Sequence, residues 1–309
     1  MDRRAFLGSL AGVFAVPLTP RAQLQDVPRL CFLTFDPGTL QTRSPRFDGF
    51  FQGLQDLGYV NGRNITISYL SADNNGDRFP ALIDECLRLK PRVIAVTTTP
   101  AAPSSWSRWE TLSGPSENIT GMSLMVPQLA VKRLELLKEL VPGLSRVLVL
   151  SVLADPIARI QVKAMEAAAG PLHVALQIHD IRTADDIPTA FAEAHRAHAE
   201  GVVVTEESMF AVHRARLTEL AAQNRMPAIY PFPLPVTDAG GLMAYTVKAS
   251  ELYRNAAVYV DRILRGTRVV DLPVQQPTQF ELVINLRTAR ALGLAIPPSL
   301  LQRADRVIE

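Results

Sequence analysis

Hydroxyl and carboxylate residues stand just beyond the apolar runs of this chain. Their chemistry is hydrogen bonding and charge pairing. Asp36 follows Leu30-Cys-Phe-Leu-Thr-Phe35, and Thr98 and Thr99 follow Val93-Ile-Ala-Val96. Asp155 comes soon after Val147-Leu-Val-Leu150, and Glu206 and Ser208 come directly after Gly201-Val-Val-Val-Thr205. No catalytic grouping matches this recurrence. Five histidines (His173, His179, His195, His198 and His213) are spread over one half of the chain. His195 and His198 lie at helical spacing among alanines and charges and read as a solvated face. There is no His-Glu-x-x-His, no Gly-x-Ser-x-Gly and no phosphate loop. The residues therefore predict no catalytic site, no cofactor and no metal. Cys31 and Cys86 fall in an apolar strand-like run and a helix-like run, outside any CxxC or Cys/His cluster, and read as buried small hydrophobes.

The elements that must position these groups alternate. Leu30–Phe35 predicts a buried strand, Asp36–Thr39 its turn, and Ser44-Pro45 the start of a helix carrying Phe47, Phe50, Phe51, Leu54 and Leu57, which Gly58 stops. A strand over Ile65–Leu70, a helix over Phe79–Leu89 and a strand over Val93–Val96 follow. The alternation restarts at Val147–Leu150, with a helix from Asp155-Pro156 through Ala169, a strand over Leu172–Ile178, a helix to about Ala199 and a strand over Gly201–Thr205. A helix over Met209–Gln223 and a short strand, Ala228–Tyr230, close the second run. Strands alternating with helices of this length imply parallel sheets. Two such runs in 309 residues predict two doubly wound α/β lobes. The tail Gly240–Glu309 supplies a strand-like run, a helix, a proline-rich crossing, a second strand-like run (Phe280–Leu286) and a last helix. It is expected to serve both lobes, with Leu242–Tyr245 and the helix Glu251–Arg265 in the first and Phe280–Leu286 back in the second. The expected boundaries are 28–121 plus 239–275 for lobe one and 122–238 plus 276–309 for lobe two.

A formal net charge of +2 with scattered arginines leaves no footprint for nucleic acid or an anionic membrane surface. The N-terminus, 1–22, reads as an export signal: Arg3-Arg4, an apolar run from Ala5 to Val16, then Pro17 and Ala22. That run is too short to span a bilayer, which takes about 20 residues. Arg3-Arg4 before Phe6-Leu7 is similar to a twin-arginine signal, and a general secretory signal stays open. A soluble periplasmic protein is expected.

Several stretches taken in order resemble one family: Leu57-Gly-Tyr-Val-Asn-Gly-Arg-Asn-Ile65, Asn118-Ile-Thr-Gly121 ahead of Lys132-Arg-Leu-Glu-Leu-Leu-Lys138, His213-Arg-Ala-Arg216 with Pro227-Ala-Ile-Tyr230, and the whole Gly240–Glu309 tail. It is the ABC transporter substrate-binding protein family often labelled a tryptophan/tyrosine transport component, and the resemblance runs from about residue 29 to the C-terminus. It implies a type I periplasmic-binding fold, a small-molecule ligand between the lobes, and a monomer delivering it to an ABC permease in the inner membrane. Ligands of parallel α/β domains bind beyond the carboxyl ends of strands, where the residues named above stand. For an amino-acid ligand, Thr98, Thr99 and Ser208 are candidates for the carboxylate, and Asp36, Asp155 or Glu206 for the ammonium. Each has a plainer role open to it: Asp155 and Ser208 as helix caps, Thr97–Thr99 as a strand end, Glu206 and Glu207 as solvated charges. The sequence departs from the family between Thr99 and Asn118, where a helix and a strand give way to a stretch with Trp106, Trp109 and three prolines. Lobe one is therefore expected to lack a strand, and a truncated copy with impaired binding stays open. So does a ligand sensor for a receptor.

Overall fold

The computed structural model describes residues 27–97 and 120–309. The export segment, Thr98, Thr99, and the tryptophan stretch with its expected missing strand lie outside the described residues.

The first sheet has the order β2-β1-β3, with β1 Arg29–Thr34 central between β2 Thr66–Ser71 and β3 Val93–Val96, all parallel. Leu30–Leu33 of β1 are fully buried, as a strand covered on both faces requires. Alternate residues point opposite ways. Leu30 and Phe32 pack with helix α1 (Asp48–Asp56), whereas Leu33 packs with Phe79, Leu82 and Ile83 of helix α2 (Phe79–Arg88). Phe32 sits within 5.3 Å, centroid to centroid, of Phe47, Phe50, Phe51 and Tyr69. Cys31 and Cys86 are free and buried.

The second sheet has seven strands in the order β10-β9-β8-β7-β6-β4-β5. Helix α3 (Val126–Leu140) enters it and leads to β4 Arg146–Ser151, α4 Pro156–Ala169, β5 Ala175–Asp180, α5 Asp186–Arg196 and β6 Gly201–Val204. Then come α6 Ser208–Val212, α7 Arg214–Gln223, β7 Ala228–Tyr230, α8 Leu234–Thr237 and β8 Met243–Val247. After helix α9 (Ala249–Leu264), β9 Phe280–Asn285, α10 Leu286–Ala291, α11 Pro298–Arg303 and β10 Arg306–Ile308 complete the second unit.

The tail differs from expectation at its end, where a second helix and the strand β10 follow α10, and at its first strand-like run. Leu242–Tyr245 does not cross into the first unit: β8 pairs with β7 in parallel and with β9 in antiparallel fashion. Leu242, Met243 and Ala244 are buried to within 1%, and an apolar run covered on both faces settles in a sheet interior. The chain crosses only afterwards. Helix α9 packs on α1 through Ala257 and Val260, and Tyr59 donates to Asp261 Oδ1 at 2.9 Å. The approach is close because α1 carries Gly49 and Gly53, where a Cβ would meet Ser250 O at 2.1 Å and Ala257 Cβ at 2.9 Å. The return crossing bridges Met122 to Gln275 and enters β9, which runs against β8.

Candidate functional site

Each sheet reverses its strand order once. In the first, β2 and β3 flank β1 on opposite sides; in the second, β5 and β6 flank β4. A crevice opens beyond the carboxyl ends at such a reversal, because the connections leave to opposite faces. Asp36 lies beyond β1, and Ser151, Asp155, Glu206 and Glu207 lie at or beyond the ends of β4 and β6.

In the first unit, Arg46 Nη2 donates to Asp36 Oδ1 at 2.6 Å, and its guanidinium lies 4.6 Å from the Phe47 ring centroid. Ser71 Oγ donates to the Asp36 carbonyl at 2.7 Å. Tyr69 stands beside them with its hydroxyl buried and unpartnered. Burial and then the Asp36 charge push that phenol up to about 12. Tyr253 of α9 is raised by burial, and the charges of Arg46, Asp36 and Glu206 all act on it. Its ring meets Phe47 edge-on at 5.2 Å.

In the second unit, Arg133 is fully buried in the middle of α3. Its Nη2 donates to Glu206 Oε2 at 2.9 Å and its Nε to the Tyr245 carbonyl at 2.8 Å, while Nη1 has no partner. Burial pushes the Glu206 carboxyl up, and Arg133 and then Arg46 pull it back. Beneath it runs a polar chain. The Glu206 N–H donates to Gln161 Oε1 at 2.9 Å, and Gln161 Nε2 donates to Glu207 Oε1 at 3.0 Å. Thr205 Oγ1 lies 2.5 Å from Glu207 Oε2 and 2.9 Å from the Leu150 carbonyl. A hydroxyl has one proton, so both contacts are hydrogen bonds only when Glu207 carries a proton of its own. Desolvation raises the Glu207 carboxyl to about 8, against the opposing pull of the Thr205 and Gln161 hydrogen bonds.

The expected residues thus separate. Asp36 and Glu206 each anchor an arginine at a strand-order reversal. Glu206 and Glu207 are not solvated charges; the turn after β6 folds them onto Arg133 and Gln161. Asp155 caps α4, accepting from the Ile157 N–H at 2.8 Å. Ser208 is the first residue of α6, and its side chain caps nothing. Sequence reasoning passed over Arg133, Gln161, Arg46 and Tyr69. A signal existed for two of them: Arg133 stands on the buried stripe Leu129, Ala130, Leu134, Leu137 of α3, and Gln161 on the stripe Ala158, Val162, Met165 of α4. A polar side chain on an apolar stripe needs a partner inside.

Among the described residues, no group of three or more His, Cys, Asp or Glu is placed to hold a metal. A shallow surface hollow lined by Lys248, Glu251, Asn255 and Gln279 shares no residue with this cluster.

The sequence model described as "ABC transporter substrate binding protein" matches residues 88–308. The chain belongs to this family. A tyrosine-binding protein of Clostridioides difficile (strain R20291) is 23% identical over 266 residues, covering 80% of this chain and 76% of the relative. Among solved structures, an ABC domain in complex with L-Trp from Streptococcus pneumonia superposes with a TM-score of 0.77 at 20% identity, covering 90% of this chain and 100% of that one. A ligand-free, open substrate binding protein with adhesive properties from Clostridium difficile gives 0.65 at 20% identity, covering 91% and 99%. At such identities the structures speak for the fold, an α/β periplasmic-binding-protein-like architecture. No helix among the described residues is long and apolar enough to cross a membrane.

Proposed function

We propose that this chain is an exported solute-binding protein that holds an amino acid between its two sheets and delivers it to an ABC permease in the inner membrane. One observation carries the reading. At the strand-order reversals of both sheets an acid is paired with an arginine, Asp36 with Arg46 and Glu206 with Arg133, and the charge of Arg46 reaches Glu206. A ligand with both charges finds complementary groups on both sides. Asp36 and Glu206 face its ammonium, and Asp155 and Ser208 complete the rim. Family membership supports the transport role. The tyrosine-binding relative and the tryptophan-bound structure favour an aromatic amino acid. The expected export signal at 1–22 supports a periplasmic protein. Binding changes no covalent bond in the solute.

The test is thermal unfolding of the purified chain, freed of 1–22, against a library of amino acids, sugars and nucleosides. A ligand present at 100 times its Kd raises stability by about 2.7 kcal/mol, so a binder stands out. An aromatic amino acid is expected to raise the transition temperature most. A cooperative transition that no solute moves would end the reading.

A further inference from the structure

We propose that Arg133 and Glu206 form one clamp for the α-amino-acid head group, with Arg133 Nη1 taking the carboxylate and Glu206 the ammonium. The inference rests on the reading that the solute is an amino acid, and it replaces the strand-end hydroxyls Thr98, Thr99 and Ser208 as the main carboxylate site.

Three observations carry it. First, Arg133 is fully buried yet uses only Nε, on the Tyr245 carbonyl, and Nη2, on Glu206. Nη1 is buried without a partner. A guanidinium has five N–H donors and no acceptor, and a buried charged donor left unmade is strongly unfavourable. Leucine at this stripe position would pack without that penalty, so an arginine here with Nη1 unpartnered marks a place for an acceptor from outside the chain. Second, Glu206 gives only Oε2 to Arg133; among the described residues Oε1 accepts from no donor. Third, the two groups are 2.9 Å apart. One carbon separates the carboxylate and ammonium of an α-amino acid, so both reach a pair of side chains that touch each other. The result is a closed ring of alternating charge: guanidinium, carboxylate, ammonium, carboxylate. Asp36 and Arg46 make a similar pair, but their side chains are 18% and 30% exposed against 9% and 0% for Glu206 and Arg133. Charge selectivity is stronger in the drier site, where water competes least.

The experiment is calorimetric titration of the purified chain with L-tryptophan, N-acetyl-L-tryptophan and L-tryptophanamide, repeated on E206Q and R133Q. Thermal unfolding of each variant serves as the folding control. Both derivatives are expected to bind at least 100-fold more weakly than tryptophan. E206Q is expected to lose about 100-fold for tryptophan and to lose its preference over the N-acetyl compound. If R133Q does not fold, E206Q and the two derivatives still decide. Derivatives within about threefold of tryptophan, or an E206Q protein with undiminished affinity, would overturn the clamp while leaving amino-acid binding intact. Binding of an uncharged solute in place of any amino acid would overturn the clamp together with the amino-acid reading, and leave a solute-binding protein.

Discussion

Arg133 and Glu206 are 73 residues apart in sequence and meet at 2.9 Å, the guanidinium fully buried and the carboxylate nearly so. The pair ties the middle of α3 to the turn after β6. Its stabilising effect comes mainly from mutual compensation, because each charge alone would be buried uncompensated. Removing one partner of a buried pair costs about 3–5 kcal/mol, whereas removing both is often near neutral. R133M is therefore expected to lose about 3–5 kcal/mol in urea unfolding. The double variant R133M/E206Q should recover much of that loss. A double-variant loss equal to the sum of the separate R133M and E206Q losses would show that the pair is not coupled.

Glu207 predicts a pH dependence of stability. Its folded value, about 8, lies above the ordinary 4.5. Between those pH values the native chain holds a proton that the unfolded chain has released. Stability therefore falls as pH rises from about 5 to about 8, and then levels. At 1.36 kcal/mol per unit the full shift corresponds to roughly 5 kcal/mol. E207Q keeps the bond from Gln161 Nε2 and has no proton to lose, so it should flatten the slope and be the more stable protein at pH 8. Carboxyls held low, such as Glu200 by the Ser145 N–H, act in the opposite direction and only below about pH 4.5. A wild-type transition temperature constant from pH 5 to 8 would contradict this account of Glu207.

Helix α9 is held on α1 by two glycines. G49A places a Cβ 2.1 Å from the Ser250 carbonyl oxygen, and relieving such overpacking costs about 1–3 kcal/mol. G143A, with nothing within 4 Å of the added Cβ, is expected to stay within about 0.5 kcal/mol of wild type. Denaturant unfolding of both variants checks this; an unchanged G49A would mean that the two helices do not sit this close.

Cys31 and Cys86 should resist thiol reagents in the native protein. Both are buried, and a mutual hydrogen bond together with burial holds the Cys31 thiol well above the ordinary range. The thiolate is the reactive species. A chromogenic disulfide reagent is expected to react with neither until denaturant is added, and then with two thiols per chain. Rapid native reaction would contradict the packing of β1 against α2.

Much of the fold was legible because its signals are local. The run Leu30–Phe35, the Phe47-to-Leu57 stripe and the Asp155-Pro156 start each carry enough apolar periodicity or capping chemistry to name their element. Sheet membership is not local. Leu242–Tyr245 looks like any buried strand, and only its neighbours Ile229 and Ile284 place it in the larger sheet. The strand Arg306–Ile308 is three residues long and exposed at its first two positions, too short for a period. At the candidate site, strand-end reasoning singled out Asp36 and Glu206 because a parallel sheet sends its turns to one edge. It missed Arg133, which sits between Lys132 and Glu135 and reads as one more solvated charge unless its place on the Leu129-to-Leu137 stripe is weighed.

Calorimetric titration of the purified chain with L-tryptophan and L-tyrosine tests the central claim most directly. Saturable binding of one or both at one site per chain is predicted, weakened by substitution at Glu206. Absence of binding heat with either amino acid, in a protein that unfolds cooperatively, would contradict it.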